Sequence, residues 1–375
     1  MPPTEATVAV IERDQLESLI GGLRADGWQV VGPRLGDGAV VYDQLDSAAE
    51  LPEGWGDEQE GGRYRLRRRD DPALFGYTTA PQSWKRQLLP PRRKLFSVER
   101  AGAGFRVAAD EPPPRQAFLG VRACELAAMR VQDKVFDQTD FKDADYLARR
   151  RDALVVAVAC GEAGATCFCA SMGTGPAPGE GYDLLLTELI DPAGHRFVVR
   201  VGSARGAEVL ARVPHRSAAP ADLEAAEAKP AAAAAQQTRA MAVDAEQRLK
   251  AGLESPRWAK TAERCLACGN CTMVCPTCFC TGVEDLTDLG GAVAERWKSW
   301  NSCFTLDYSY IHGGSVRTSG AARYRQWITH KLAHWHDQFG TSGCVGCGRC
   351  ITWCPVGIDI TEEVAALGDG DANGR

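Results

Sequence analysis

Cys265-Leu266-Ala267-Cys268-Gly269-Asn270-Cys271-Thr272-Met273-Val274-Cys275-Pro276 and Cys344-Val345-Gly346-Cys347-Gly348-Arg349-Cys350-Ile351-Thr352-Trp353-Cys354-Pro355 are two copies of one spacing, C-x2-C-x2-C-x3-C-P. Three thiolates on one tight loop reach three irons of a cubane. The fourth cysteine, just before a proline, ligates the other cluster. Gly269 and Gly348 hold matching positions, where backbone must wrap closely. Zinc knuckles pair one C-x2-C with a distant pair, so four cysteines in one run, twice, point to two [4Fe–4S] clusters. Crosswise ligation assigns Cys265, Cys268, Cys271 and Cys354 to the first cluster. It assigns Cys344, Cys347, Cys350 and Cys275 to the second.

Between Cys275 and Cys344 lie 68 residues, too many for a small β-type ferredoxin. Residues 292–300 and 322–336 read as helices and strand signals are few, so the expected module is an α-helical dicluster ferredoxin domain. Cys278, Cys280 and Cys303 remain in this region. Cys278 and Cys280 line the cluster shell and tune its potential, or they act as ligands together with Cys303.

Working back towards the N-terminus, the pattern becomes that of an α/β domain. Leu16, Leu19, Ile20 and Leu23 mark one face of a helix over 14–25. Residues 28–31 and 39–42 read as strands around the turn at Gly36-Asp37-Gly38. Residues 118–121, 125–136 and 153–159 form a strand–helix–strand unit, hence parallel strands, and 182–202 add two more strand segments. Cys124 follows the first of these parallel strands and Cys160 the second, at the sheet edge where open α/β sheets bind ligands. Cys167-Phe168-Cys169 lies on the loop beyond. Two readings stand: four buried structural cysteines, or Cys124, Cys160, Cys167 and Cys169 as ligands of a third [4Fe–4S] cluster. Shared placement at strand ends favours the second over zinc or no metal.

Eleven of the 19 residues in 217–235 are alanine, which reads as a connector. The expected division is an α/β domain over 1–216, an Ala-rich linker and helix over 217–250, the ferredoxin domain over 251–365, and a flexible tail over 366–375. Hydrophobic residues make up 45% and the net charge is −6, which excludes general disorder and gives no reason to expect nucleic acid. There is no apolar run long enough for a membrane span, and the start Met1-Pro2-Pro3-Thr4-Glu5 is unlike a signal peptide. Fifteen cysteines in such a chain point to metal or redox work in the cytoplasm.

His330, His334 and His336 lack the carboxylate of H-E-x-x-H and read as a solvated helix face. No dinucleotide fingerprint, phosphate loop, nucleophile elbow or haem attachment site is present. The chain has electron carriers but no visible catalytic centre, so whether it is itself an enzyme stays open.

Gly120-Val121-Arg122-Ala123-Cys124-Glu125, Thr166 to Gly175, Cys275-Pro276-Thr277-Cys278-Phe279-Cys280, Trp300-Asn301-Ser302-Cys303, His330-Lys331 and Cys344 to Cys350 carry a wider resemblance. The chain resembles the beta, iron–sulfur subunit of cytosolic NAD(P)-linked [NiFe] sulfhydrogenases, and the A subunit of anaerobic sulfite reductase. The similarity runs from about residue 10 to 362, and its N-terminal segments are the specific part. It implies that Cys124, Cys160, Cys167 and Cys169 act together. It also implies partners: a flavin diaphorase subunit oxidising NAD(P)H, and the small and large subunits of a [NiFe] hydrogenase. In the alternative, the electrons go to a siroheme sulfite reductase subunit.

Overall fold

The run Leu154–Val158 is apolar at every position because both of its faces are covered. In the computed structural model, which describes residues 7–109, 112–138 and 140–369, it sits inside an eight-stranded sheet. The strand order is Arg216–Ser217, Val8–Glu12, Gly194–Val201, Leu184–Asp191, Leu154–Val158, Gln116–Val121, Gln29–Gly36, Ala39–Gln44. The four strands from Leu184–Asp191 to Gln29–Gly36 are parallel, and antiparallel partners flank them on both sides. Alternating side chains divide between two cores. Leu119, Leu154 and Val156 pack with Leu16, Leu19, Ile20 and Leu23 of the helix Gln15–Ala25. Phe118, Val155 and Ala157 pack with Leu126 and Met129 of the helix Ala123–Phe136. The Ala-rich stretch is a helix, Pro220–Ala235. Its Ala226 rests on Val10, Leu189 and Val198 of the sheet.

The C-terminal part is built on the helices Ala245–Ala251, Arg257–Arg264, Gly320–Thr329 and Ile360–Asp369. Trp258, Tyr324, Trp327, Ile351 and Val364 form their shared core. It is not the all-helical module expected. Val293–Trp300 is a strand, paired with Thr281–Thr287 on one side and with Arg92–Ala101 on the other. Its Ala, Glu, Arg and Lys residues favour helix locally. The two long neighbours take up its backbone groups, and its tryptophans suit a pleated surface. A four-stranded sheet thus carries hairpins from both halves of the chain. Among the described residues no helix is long and apolar enough to cross a membrane.

Candidate functional site

The two cysteine runs fold alike. In each, the third residue has positive φ, 50° at Ala267 and 63° at Gly346. In each, a glycine of φ 75–77° then opens a short helix, Asn270–Met273 or Arg349–Thr352. This curl turns backbone N–H groups onto sulfur. The Ala267 amide donates to Cys265 Sγ at 3.4 Å and the Gly346 amide donates to Cys344 Sγ at 3.5 Å.

Cys265, Cys268, Cys271 and Cys354 line one cavity, walled by Phe304, Tyr324, Trp327, Ile358 and Ile360. Cys268 and its neighbour Leu266 are exposed, so this cavity lies next to solvent. Cys350 of the second run lines the same cavity.

Cys275 and Cys347 are buried and Cys344 is partly buried, and the three lie close enough to influence one another's charge. Burial pushes the Cys344 thiol up to about 12, against the pull of Lys331. Cys275 is held well below the usual thiol range, by a hydrogen bond from Cys278 and by the Lys331 charge. Lys331 is buried on a π-helical turn, His330–His334. Its ammonium donates to Cys275 Sγ at 3.3 Å, Thr277 Oγ1 at 2.9 Å and the Gly343 carbonyl at 3.0 Å, which uses all three protons. A second buried ammonium, Lys85, donates to the carbonyls of Thr272, Met273 and Cys278 and lies 3.9 Å over the Trp300 ring.

The four N-terminal cysteines share a third cavity. Cys124, Cys160, Cys167 and Cys169 line it with Thr78, Thr79 and Gln237, and Cys347 of the second run forms part of its wall. Arg122, fully buried, draws the two strand ends together. It donates to the carbonyls of Ala159, Phe75 and Tyr77 at 3.2, 2.8 and 2.8 Å. Gln237 Nε2 donates to Cys169 Sγ at 3.2 Å. Burial raises Cys124 well above the ordinary thiol value, and Cys169 to about 12, so loading with metal must release protons.

The Cys167–Cys169 loop is docked on the second run. The Phe168 amide donates to the Gly346 carbonyl at 2.9 Å, and Thr174 Oγ1 donates to the Val345 carbonyl at 2.8 Å. Gly346 leaves no room for a side chain: a Cβ there would lie 2.6 Å from Cys169 Cα. Gly346→Ala is therefore expected to cost about 2–4 kcal/mol, combining positive-φ strain with overpacking. Ala267→Gly at the matching position should be near neutral, since relief of strain offsets the added chain freedom. Thermal unfolding of both variants checks the pair, and equal effects would refute the docking argument.

Among the described residues no three His, Cys, Asp or Glu side chains are grouped to grip one metal ion. A single zinc needs donors about 2.3 Å from one point. A cubane spreads its four cysteines over different irons. Thiol-only donor sets, amides aimed at sulfur and apolar walls fit the cluster. Among the described residues the histidines form no ligand group: His330, His334 and His336 are half-buried, and His330 packs beside Phe279 and Trp335.

Lys331, Lys85, Arg122, and the buried ion pair of Arg349 with Glu125, escape a reading by motif. Lys331 sits in a helical pattern where lysine reads as surface. Only its place in the segment His330-Lys331 sets it apart.

Residues 264–358 match the family model of the 4Fe-4S dicluster domain. The chain is 30% identical over 299 residues to sulfhydrogenase 2 subunit beta of Pyrococcus furiosus, covering 76% of this chain and 85% of that protein. No solved structure matches.

Proposed function

The chain belongs to the sulfhydrogenase beta-subunit family, and from that premise we propose that it relays electrons between a flavin subunit oxidising NAD(P)H and the small subunit of a [NiFe] hydrogenase. In this reading Cys265, Cys268, Cys271 and Cys354 hold one [4Fe–4S] cluster. Cys344, Cys347, Cys350 and Cys275 hold a second, and Cys124, Cys160, Cys167 and Cys169 a third. When bound, the clusters supply one-electron carriers. The protein fixes their order and sets the charge around them.

One observation carries the reading. Cys347 lines the N-terminal cavity and Cys350 lines the cavity of the first run. Both belong to the second ligand set, which therefore stands between the other two. A non-redox scaffold has no need of such a sequence of neighbouring thiol sites, one of them opening beside exposed Cys268.

Iron analysis of the anaerobically purified chain tests the sites. About twelve irons are expected, as three cubanes. The Cys167→Ser/Cys169→Ser variant is expected to lose about four of them while staying folded, and full iron retention there removes the N-terminal cluster. Metal analysis of the native complex, captured through a tag on this chain, tests the partners. Stoichiometric nickel supports the hydrogenase. Siroheme absorption without nickel would transfer the chain to a sulfite-reducing complex.

A further inference from the structure

The helix Gly320–Thr329 carries two polar groups that the fold leaves without a protein partner. Tyr324 and Trp327 are 2% and 4% exposed. Among the described residues, neither the Tyr324 hydroxyl nor Trp327 Nε1 makes a hydrogen bond. Buried phenols and indoles usually find an acceptor, and others in this chain do. Trp258 Nε1 donates to the Gly252 carbonyl at 2.8 Å, and Trp300 Nε1 to the Leu89 carbonyl at 2.8 Å.

Tyr324 and Trp327 stand three positions apart, so they share one helix face. Both line the cavity of Cys265, Cys268, Cys271 and Cys354. Phe304, on the same wall, packs against both rings, with centroids 6.4 Å from Tyr324 and 5.7 Å from Trp327. The wall is poor in acceptors. Apart from the thiols and these two residues, Asn270 is its one polar side chain, and Asn270 Nδ2 donates to the Trp353 carbonyl at 3.2 Å. Sulfur is what this cavity sets before the two donors.

We propose that the Tyr324 O–H and the Trp327 N–H donate hydrogen bonds to sulfur of the cluster held by Cys265, Cys268, Cys271 and Cys354, and make that carrier easier to reduce.

Hydrogen bonds to the sulfurs are among the factors that set a cluster's potential. An added electron makes the sulfurs more negative, so a donor stabilises the reduced form more than the oxidised form. Both groups suit the part. An indole N–H only donates, and a phenol, whose ordinary pKa is about 10, keeps its proton at neutral pH. Neither carries a charge, so each acts only on a sulfur it touches. The two are positioning residues for the outermost carrier, on the rigid helix behind it.

The inference rests on the first ligand set proposed above, and the test separates the two. Tyr324→Phe removes the hydroxyl and keeps the ring. The holo chain and the variant are compared by iron content and by anaerobic redox titration followed by electron paramagnetic resonance, with Cys268→Ser used to mark the signal of the outer cluster. Iron should be retained, and reduction of the outer cluster should become about tenfold less favourable, on the scale of one hydrogen bond. For a one-electron couple that is a potential about 59 mV more negative, with the other two potentials unmoved. Electron nuclear double resonance on chains fully exchanged into D2O gives the second readout. Tyr324→Phe should lose one deuteron coupled to the outer cluster, and Trp327→Phe a different one. Retained iron with an unmoved potential overturns the proposal and leaves the ligand set standing. A shifted potential with every coupled deuteron still present also overturns it, since Tyr324 would then act by packing alone. A Cys268→Ser variant that alters no signal and loses no iron overturns the ligand set, and the proposal with it.

Discussion

Replacing Arg349 by methionine is expected to destabilise the folded chain by about 3–5 kcal/mol, because it leaves Glu125 without its counter-charge in the interior. Arg349 and Glu125 are 0% and 1% exposed and form an ion pair across the two halves of the chain. Arg349 also donates to the carbonyls of Ala80 at 2.7 Å and Gln82 at 3.2 Å, and Glu125 accepts from the Trp84 amide at 3.3 Å. Each partner is locked to a site cysteine: Glu125 follows Cys124, and Arg349 lies between Cys347 and Cys350. The pair thus clasps the N-terminal cavity to the second run.

The double variant Arg349→Met/Glu125→Leu removes both charges and should recover most of the loss, since a buried pair contributes little net stability over apolar residues of similar size. A pH series gives an independent check on Arg349→Met. Burial already pushes the Glu125 carboxyl up, with Arg349 pulling against it, so removing Arg349 raises it further. A carboxyl whose folded pKa is raised binds its proton more tightly in the folded state, and its cost is present above that pKa and relieved as pH falls through it. The stability deficit should therefore be larger at pH 8 than at pH 6. Urea unfolding measures each step, and a pH-independent deficit with no recovery in the double variant would contradict the account.

What could be read ahead of the structure divides by distance along the chain. The cysteine runs are local, with every spacing inside twelve residues, and their matching curls at Ala267 and Gly346 follow from that spacing. The strand-end positions of Cys124 and Cys160 were legible because apolar runs such as Leu154–Val158 mark buried parallel strands. Val293–Trp300 was misread because its state is decided by pairing with Arg92–Ala101, some two hundred residues earlier. The Arg349–Glu125 clasp is equally remote. Each residue alone is an ordinary charge on a helix, and what holds the two in the interior is remote in sequence: Ala80, Gln82 and Trp84, which bond to them from another segment.

Lys331 is the residue whose removal should change electron transfer most without emptying a site. Burial works against its charge, but Cys275, Cys278 and Cys344 outweigh that and push its pKa well above the ordinary lysine value, so it stays an ammonium. It stands 3.3 Å from the sulfur of Cys275, the proposed crosswise ligand of the middle cluster. A unit charge about 4 Å away interacts by about 4 kcal/mol at an effective dielectric of about 20. For a one-electron couple, about 59 mV corresponds to about 1.4 kcal/mol. The ceiling is then about 170 mV, and spreading of the electron over several irons brings the expectation to the order of 100 mV. Taking away a positive charge disfavours the added electron, so Lys331→Met should make the middle potential more negative. Lys331→Arg, which keeps the charge, should shift it far less. An anaerobic redox titration followed by electron paramagnetic resonance reads this directly, with iron content as the control for intact sites. Equal shifts in the Met and Arg variants would mean that Lys331 acts by packing against Thr277 and Gly343. A negative shift confined to Lys331→Met would place the charge itself among the determinants of the direction in which the relay runs.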